Sequence, residues 1–362
     1  MDVAEGDDLD WSQGVPLAYQ RELLSYWKDG YDWKRVESEL NNLGLYKTYI
    51  DRLTIQFIHV RSSRTDAHPL IITHGWPGSV VEILDVIKEL TEPSEAGAPA
   101  FHVVAPSMPG FGFSDRPAEA GWGPERIADA WCVLMERLGY RAFLAQGGDW
   151  GAAVTTELAI RHPAQVKAIH VTSPWSGLGP KGGWTKLVQT MDLEVLPHEQ
   201  RWLEETWEFW GPGSAYAFVQ GKQPQSIGYG LVDSPSGQLA WIIDKFHAWT
   251  DCSGHPENAI SRARMLDNVS LYWLTGTAAS AGRIYWHNRP ENRIEKIAVP
   301  TAITVFPFDI EKVPRSWLDA RYSDLRLYSL AEKGGHFSSL EVPQLFLSEV
   351  RRAFAPDSPL MK

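Results

Sequence analysis

Apolar residues recur along this chain in two alternating rhythms, short unbroken runs and longer stretches with a three-to-four-residue spacing. Leu70-Ile71-Ile72 is an early unbroken run, and Phe101–Ala105, Phe143–Ala145, Val166–Val171, Thr301–Phe306 and Leu325–Leu330 follow it. Runs this short, bounded by turn residues, predict strands buried on both faces. Between them the period changes to that of a helix. Ile83, Leu84, Ile87 and Leu90 share one face, and Ile127, Ala130, Trp131, Leu134, Met135 and Leu138 form a second, stopped by Gly139. Further helices are expected over 151–161, before the turn His162-Pro163, and over Pro343–Phe354. Strands alternating with helices in this way predict a doubly wound, mostly parallel sheet of the α/β class.

Two stretches depart from that alternation. Pro16 to Leu43 carries Trp33, Val36, Leu40 and Leu43 on one helical face after the capping residue Asp32, which predicts a helical arm. Tyr49 to Val60 then turns strand-like, with Leu53, Ile55 and Phe57 opening a hairpin or meander. From Pro174 to about Asn288 the alternation stops, and the chain becomes tryptophan-rich and helical in pattern, with loops at Gly211-Pro212-Gly213 and Asp233-Ser234-Pro235. This reads as an inserted cap. The expected division is an N-terminal arm (1–48), a first part of the core (49–175), a helical cap (176–290) and a second part of the core (291–362).

Composition narrows the function classes. The chain has 362 residues, 44% hydrophobic, and a formal charge of −11, so it buries a sizeable core and offers no basic field for nucleic acid or anionic lipid. Its two cysteines, Cys132 and Cys252, build no disulfide framework and sit at no metal-ligand spacing. The acidic start and the absence of a spanning apolar run point to a cytoplasmic protein that does not engage membranes. Of the 17 tryptophans, many fall between Trp175 and Trp286. Most are expected as core residues, with a clustered subset lining a bulky apolar pocket.

Candidate chemistry concentrates in Phe143-Leu144-Ala145-Gln146-Gly147-Gly148-Asp149-Trp150-Gly151, a strand, a sharp turn and the start of a helix. In the pattern Gly-x-nucleophile-x-Gly the glycines permit a tight turn that exposes the central side chain above a parallel sheet. Here that side chain is Asp149, and a carboxylate suits attack on an electrophilic carbon to form an enzyme ester. A plain helix-capping aspartate is the competing reading. Asp309 follows one late strand and His336, in Gly334-Gly335-His336-Phe337, follows the last, so nucleophile, acid and base occur in the chain order of α/β-hydrolases. Glu311 and Asp324 compete with Asp309 for the acid role, and only position after the strand favours Asp309. His74 is expected to shape its turn by a hydrogen bond rather than to transfer protons.

Together, His74-Gly75-Trp76-Pro77-Gly78-Ser79, Gly147-Gly148-Asp149-Trp150-Gly151, Pro307-Phe308-Asp309 with Val313-Pro314-Arg315-Ser316-Trp317, and Gly334-Gly335-His336-Phe337 resemble the motifs of microsomal-type epoxide hydrolases of the α/β-hydrolase fold. The likeness runs from the arm to the final helix, without the hydrophobic anchor of membrane-bound members. It implies Asp149 as nucleophile, His336 and Asp309 as the water-activating pair, and the backbone amides of Trp76 and Trp150 as the oxyanion hole. It further implies two cap tyrosines on the epoxide oxygen, matched by Tyr216 and Tyr285, with Tyr229 and Tyr272 as nearby rivals. The implied substrate is a hydrophobic epoxide, aromatic ones included, that reacts with water, and no cofactor or metal is required. A haloalkane-dehalogenase-like enzyme and a non-catalytic ligand-binding homologue remain as alternatives. Detoxification and the tailoring of a secondary metabolite look alike at this level. The arm either serves a homo-oligomer interface or wraps its own core.

Overall fold

Residues 10–174, 182–288 and 293–362 are described by a computed structural model, so both expected cap boundaries, at 175/176 and 290/291, and the start of the arm lie outside the described residues. Eight strands form one sheet: β1 (Leu45–Ile50), β2 (Leu53–Val60), β3 (His68–Thr73), β4 (Phe101–Pro106), β5 (Phe143–Gly147), β6 (Val166–Val171), β7 (Thr301–Val305) and β8 (Leu325–Leu330). Their spatial order is β1-β2-β4-β3-β5-β6-β7-β8. β1 and β2 form an antiparallel hairpin, β2 runs antiparallel to β4, and every pairing from β4 to β8 is parallel.

The unbroken apolar runs are strands because both faces of the sheet are covered. Ile71, Val104, Ala145, Ile169 and Ile303 enter one buried cluster, while their neighbours Leu70, Ile72, Val103, Ala105, Leu144, Ala168 and Ala302 enter the other. Successive strand residues point to opposite faces, so a sheet with two apolar layers needs every position to be apolar.

Most expected elements appear within a residue or two of their predicted bounds, including helices Pro124–Arg137, Trp150–Arg161 and Pro343–Phe354. Two details differ. The hairpin starts at Leu45, because Lys47 and Tyr49 lie on an edge strand whose exposed residues break the apolar rhythm. The expected helix after β3 is a short 3-10 turn, Val80–Ile83, capped by the Ser79 side chain on the Val81 amide, followed by a five-residue helix, Ile87–Thr91.

The arm forms helices Leu17–Asp29 and Trp33–Asn42, the second capped by Asp32, whose side chain accepts from the Lys34 amide. They dock on helix Arg262–Thr275. Trp27 donates to Ser270 at 2.8 Å, and Tyr31 (2.8 Å) and Arg35 (2.6 Å) both donate to the buried Asp267. Between β6 and β7 the described residues form no sheet strand and are largely helical. No helix among the described residues is long and apolar enough to cross a membrane.

β3 sits between β4 and β5, so the order of connections reverses at β3, and loops leaving β3 and β5 part to open a crevice at the carboxyl edge. The helix after β5 lies tight against β3 there: a Cβ added at Gly151 would fall 1.8 Å from the Thr73 carbonyl oxygen. Gly151→Ala is therefore expected to lower unfolding stability by about 3 kcal/mol or more, as overpacking does. A urea midpoint equal to that of the wild type would show that the approach is looser than this.

Candidate active site

Asp149 stands at the tip of the reversal between β5 and the helix Trp150–Arg161, with φ 50° and ψ −131°. Positive φ costs a side-chain-bearing residue energy and is retained where the surroundings enforce it. The flanking glycines provide that enforcement, since a Cβ at Gly147 would lie 2.2 Å from the Gly151 carbonyl oxygen. The Asp149 side chain makes no capping hydrogen bond to its helix. Instead the Trp76 amide, in the loop after β3, donates to Asp149 Oδ1 at 2.7 Å. Trp150 is the first residue of the helix, so its amide lies outside the helix's own ladder of bonds.

Asp309 follows β7 and His336 follows β8. A parallel bridge between Phe308 and Gly335 ties the two loops together, and the Phe308 amide donates to the Gly334 carbonyl at 3.1 Å. His336 Nδ1 lies 2.7 Å from Asp309 Oδ1, and Nε2 lies 3.3 Å from Asp149 Oδ2, an approach that leaves Nε2 without a well-formed hydrogen bond. Ser173, just beyond β6, donates to Asp309 Oδ2 at 2.7 Å, and the Ile310 amide donates to Oδ1 at 2.7 Å. All three side chains are buried. Burial alone would lower the His336 pKa, but the Asp309 and Asp149 carboxylates outweigh it and hold the imidazole well above its ordinary value.

The competing acids separate clearly in space. Asp324 pairs with Arg326 at the amino end of β8, away from His336. Glu311 is buried rather than solvated and accepts from the Trp210 indole, and burial pushes its pKa up to about 8. His74 holds its turn through both ring nitrogens: Nε2 accepts from the Met108 amide at 3.2 Å, which leaves Nδ1 to donate to the Gly75 carbonyl at 2.9 Å. Burial lowers its pKa to about 4, so the ring is neutral.

Over this array lies a box of aromatic rings. Tyr216 stacks on Trp76 with centroids 5.1 Å apart, and Tyr285 meets Trp76 edge-on at 5.5 Å, Trp150 at 4.8 Å and Tyr216 at 5.7 Å. Both phenols have pKa values well above the ordinary tyrosine range. The largest cause is burial, followed for Tyr216 by the Asp149 charge and for Tyr285 by Tyr216 and then Asp149. Tyr229 is exposed on the surface, and Tyr272 donates to the Gly78 carbonyl at 2.7 Å, so neither shares this position.

The sequence did not single out Trp249 or Ser173. Trp249 packs against Tyr216 and His336, each with centroids 5.1 Å apart, and its carbonyl accepts from the His336 amide at 2.8 Å. Its one advance signal is membership of the tryptophan-rich stretch. Ser173 has none, because a serine beside a strand end is common. No group of three or more His, Cys, Asp or Glu side chains suited to a metal occurs among the described residues.

A family model described as epoxide hydrolase N terminus matches residues 2–83, and one described as alpha/beta hydrolase fold matches residues 68–208. Epoxide hydrolase 1 of Sus scrofa is 33% identical over 380 residues, which cover 96% of this chain and 82% of the relative. A Stigmatella aurantiaca protein provisionally named an epoxide hydrolase is 48% identical over 349 residues, covering 95% and 77% respectively. The crystal structure of juvenile hormone epoxide hydrolase from Bombyx mori matches with a TM-score of 0.87 at 28% identity, covering 98% of this chain and 88% of that one. Aspergillus niger epoxide hydrolase matches at 0.84 and 29%, covering 98% and 90%. The chain belongs to the microsomal-type epoxide hydrolase family, on the α/β-hydrolase fold.

Proposed function

We propose that this protein hydrolyses a hydrophobic epoxide, aromatic ones included, to a vicinal diol through a covalent ester on Asp149. The observation that carries the reading is a gripped carboxylate, Asp149, with a carboxylate-backed imidazole on one side and two neutral phenols beyond it. The neighbouring rings of Trp76 and Trp249 support an apolar, aromatic substrate. In this reading residues 1–48 form the arm, 49–175 and 291–362 the core, and 176–290 the cap. The two buried free cysteines fit a reducing, cytoplasmic setting, where the enzyme would detoxify epoxides or tailor a secondary metabolite.

In the first step an Asp149 oxygen attacks an epoxide carbon and the ring C–O bond breaks. Tyr216 and Tyr285 hydrogen-bond the departing oxygen, and one of them gives it a proton. Their raised pKa values keep both phenols neutral donors at physiological pH. In the second step His336, oriented by Asp309, removes a proton from water, which attacks the ester carbonyl. The amides of Trp76 and Trp150 stabilise the oxyanion that develops there. The acyl C–O bond then breaks, the His336 proton goes to the alkoxide, and the acidic proton left on Asp149 restores the phenol. Water is consumed once, and no other co-reactant is needed.

Ester formation also changes the base. Asp149 loses its negative charge, so one of the causes that raise the His336 pKa disappears, and the imidazole becomes more easily deprotonated at the moment when a base is required.

Three outcomes follow. With His336→Gln and an aryl epoxide, the ester should form and persist, visible by mass spectrometry as an adduct on the peptide containing Asp149; no adduct with a confirmed substrate would overturn the roles of Asp149 and His336. Tyr285→Phe should slow ester formation by roughly 100-fold, with ester hydrolysis left near its wild-type rate, as loss of a positioned proton donor does. In Asp309→Asn the midpoint of the His336 ring in the free enzyme should fall, because a carboxylate that raises it is gone, and ester hydrolysis should slow by about 10,000-fold, as when a triad acid is neutralised. An unchanged midpoint in imidazole NMR spectra would contradict the assigned pairing.

A further inference from the structure

Beneath Asp149 lies a cavity of about 30 Å³ that the reaction described above leaves without a use. Its polar lining includes Glu82, Gln146, Asp149, Thr172, His336 and Ser338. Neither cap tyrosine borders it, so it opens on a different side of the nucleophile from the phenols. A polar space needs roughly 10 to 15 Å³ to hold one water, so this one accommodates one or two.

Glu82 is the residue there without an assigned task. It sits on the 3-10 turn after β3, and its carboxyl lies against Gly78. Only a glycine at 78 leaves room for it, because an added Cβ would fall 1.5 Å from Glu82 Oε1. Backbone hydrogen bonds at Ser79 and Gly75 hold the carboxyl. Burial pushes its pKa up to about 8; the His336 charge opposes that rise and the Asp149 charge adds to it, so both catalytic groups act on it directly. The second observation is His336 Nε2, buried and without a well-formed hydrogen bond, at the edge of the same cavity. When the ring is neutral, as the second step requires, Nε2 accepts, and a water in this polar space can donate to it.

We infer that Glu82 binds the hydrolytic water in this cavity and aims it at the Asp149 ester carbonyl, which makes it a water-binding residue of the second step. The inference rests on the covalent ester proposed above. One O–H of the water donates to His336 Nε2 and is transferred there. The other donates to a Glu82 carboxyl oxygen and is not transferred, so Glu82 ends the cycle in the protonation state in which it began. The water oxygen bonds to the acyl carbon, and the acyl C–O bond of the ester breaks to release the diol. Because the water enters from the side away from the phenols, it can be in place while the epoxide-derived group still fills the aromatic box.

Single-turnover kinetics with excess enzyme and an aryl epoxide, resolving ester formation from ester hydrolysis, test this. Glu82→Leu should form the ester at near the wild-type rate and hydrolyse it on the order of 100-fold more slowly, the lower range for loss of a positioned proton-transfer array. Glu82→Gln, which keeps a carbonyl acceptor at the same reach, should recover most of that loss, a rescue that a purely structural role does not predict. Unchanged ester hydrolysis in Glu82→Leu, or equal slowing of both steps, would overturn the inference. Should Glu82→Leu fail to fold, Glu82→Ala replaces it with the same expectation and the same refutation. Absence of any ester in the wild-type enzyme would instead refute the covalent reading, so the two failures are distinguishable.

Discussion

Two carboxylates, Asp149 and Asp309, share one buried imidazole, and much of the architecture serves to make that arrangement tolerable. A buried charge is costly unless it is paired and hydrogen-bonded. Here the pairing is spread over four strand ends: β3 delivers the Trp76 amide to Asp149, β6 leads to the Ser173 hydroxyl on Asp309, and β7 and β8 deliver Asp309 and His336 through bridged loops. Parallel strands place all of these at one edge, which is why a doubly wound sheet suits the chemistry. The same concentration of charge raises the proton affinity of the His336 ring, against the effect of its burial.

The aromatic box completes the environment. By burying both phenols it raises their pKa and keeps them neutral, the form that the proposed first step requires. Its members come from distant parts of the chain, Trp76 and Trp150 from the core loops and Tyr216, Trp249 and Tyr285 from the helical stretch between β6 and β7. Site and helical stretch are therefore coupled mechanically: movement of these helices would change the distance between the phenols and Asp149.

The core was legible in the sequence because its signals are local. Unbroken apolar runs mark strands buried on both faces, and the motif around Asp149 needs only a strand, two glycines and a helix start. Asp309 and His336 could be placed because each follows a strand end. What could not be read depends on packing between elements. Trp249 and Ser173 reach the site only through the tertiary arrangement. Glu311 looks like a loop acid until Trp210 is seen to cover it. Glu82 stands just before a stretch whose apolar spacing resembles a helix, and its carboxyl meets Gly78 only through the 3-10 turn that forms there. The arm helices were visible, but their docking through Trp27, Tyr31 and Arg35 on helix Arg262–Thr275 was not, since no pattern along the arm names its partner.

The central claim is that the oxygen added to the epoxide comes from Asp149 and not directly from solvent. One turnover of an aryl epoxide with excess enzyme in water labelled with heavy oxygen tests it most directly. The covalent route predicts an unlabelled diol in that first turnover, with label incorporated into the Asp149 carboxylate and passed to product only in later turnovers. Label in the first diol, with none in the peptide containing Asp149, would contradict the ester and leave direct attack by water.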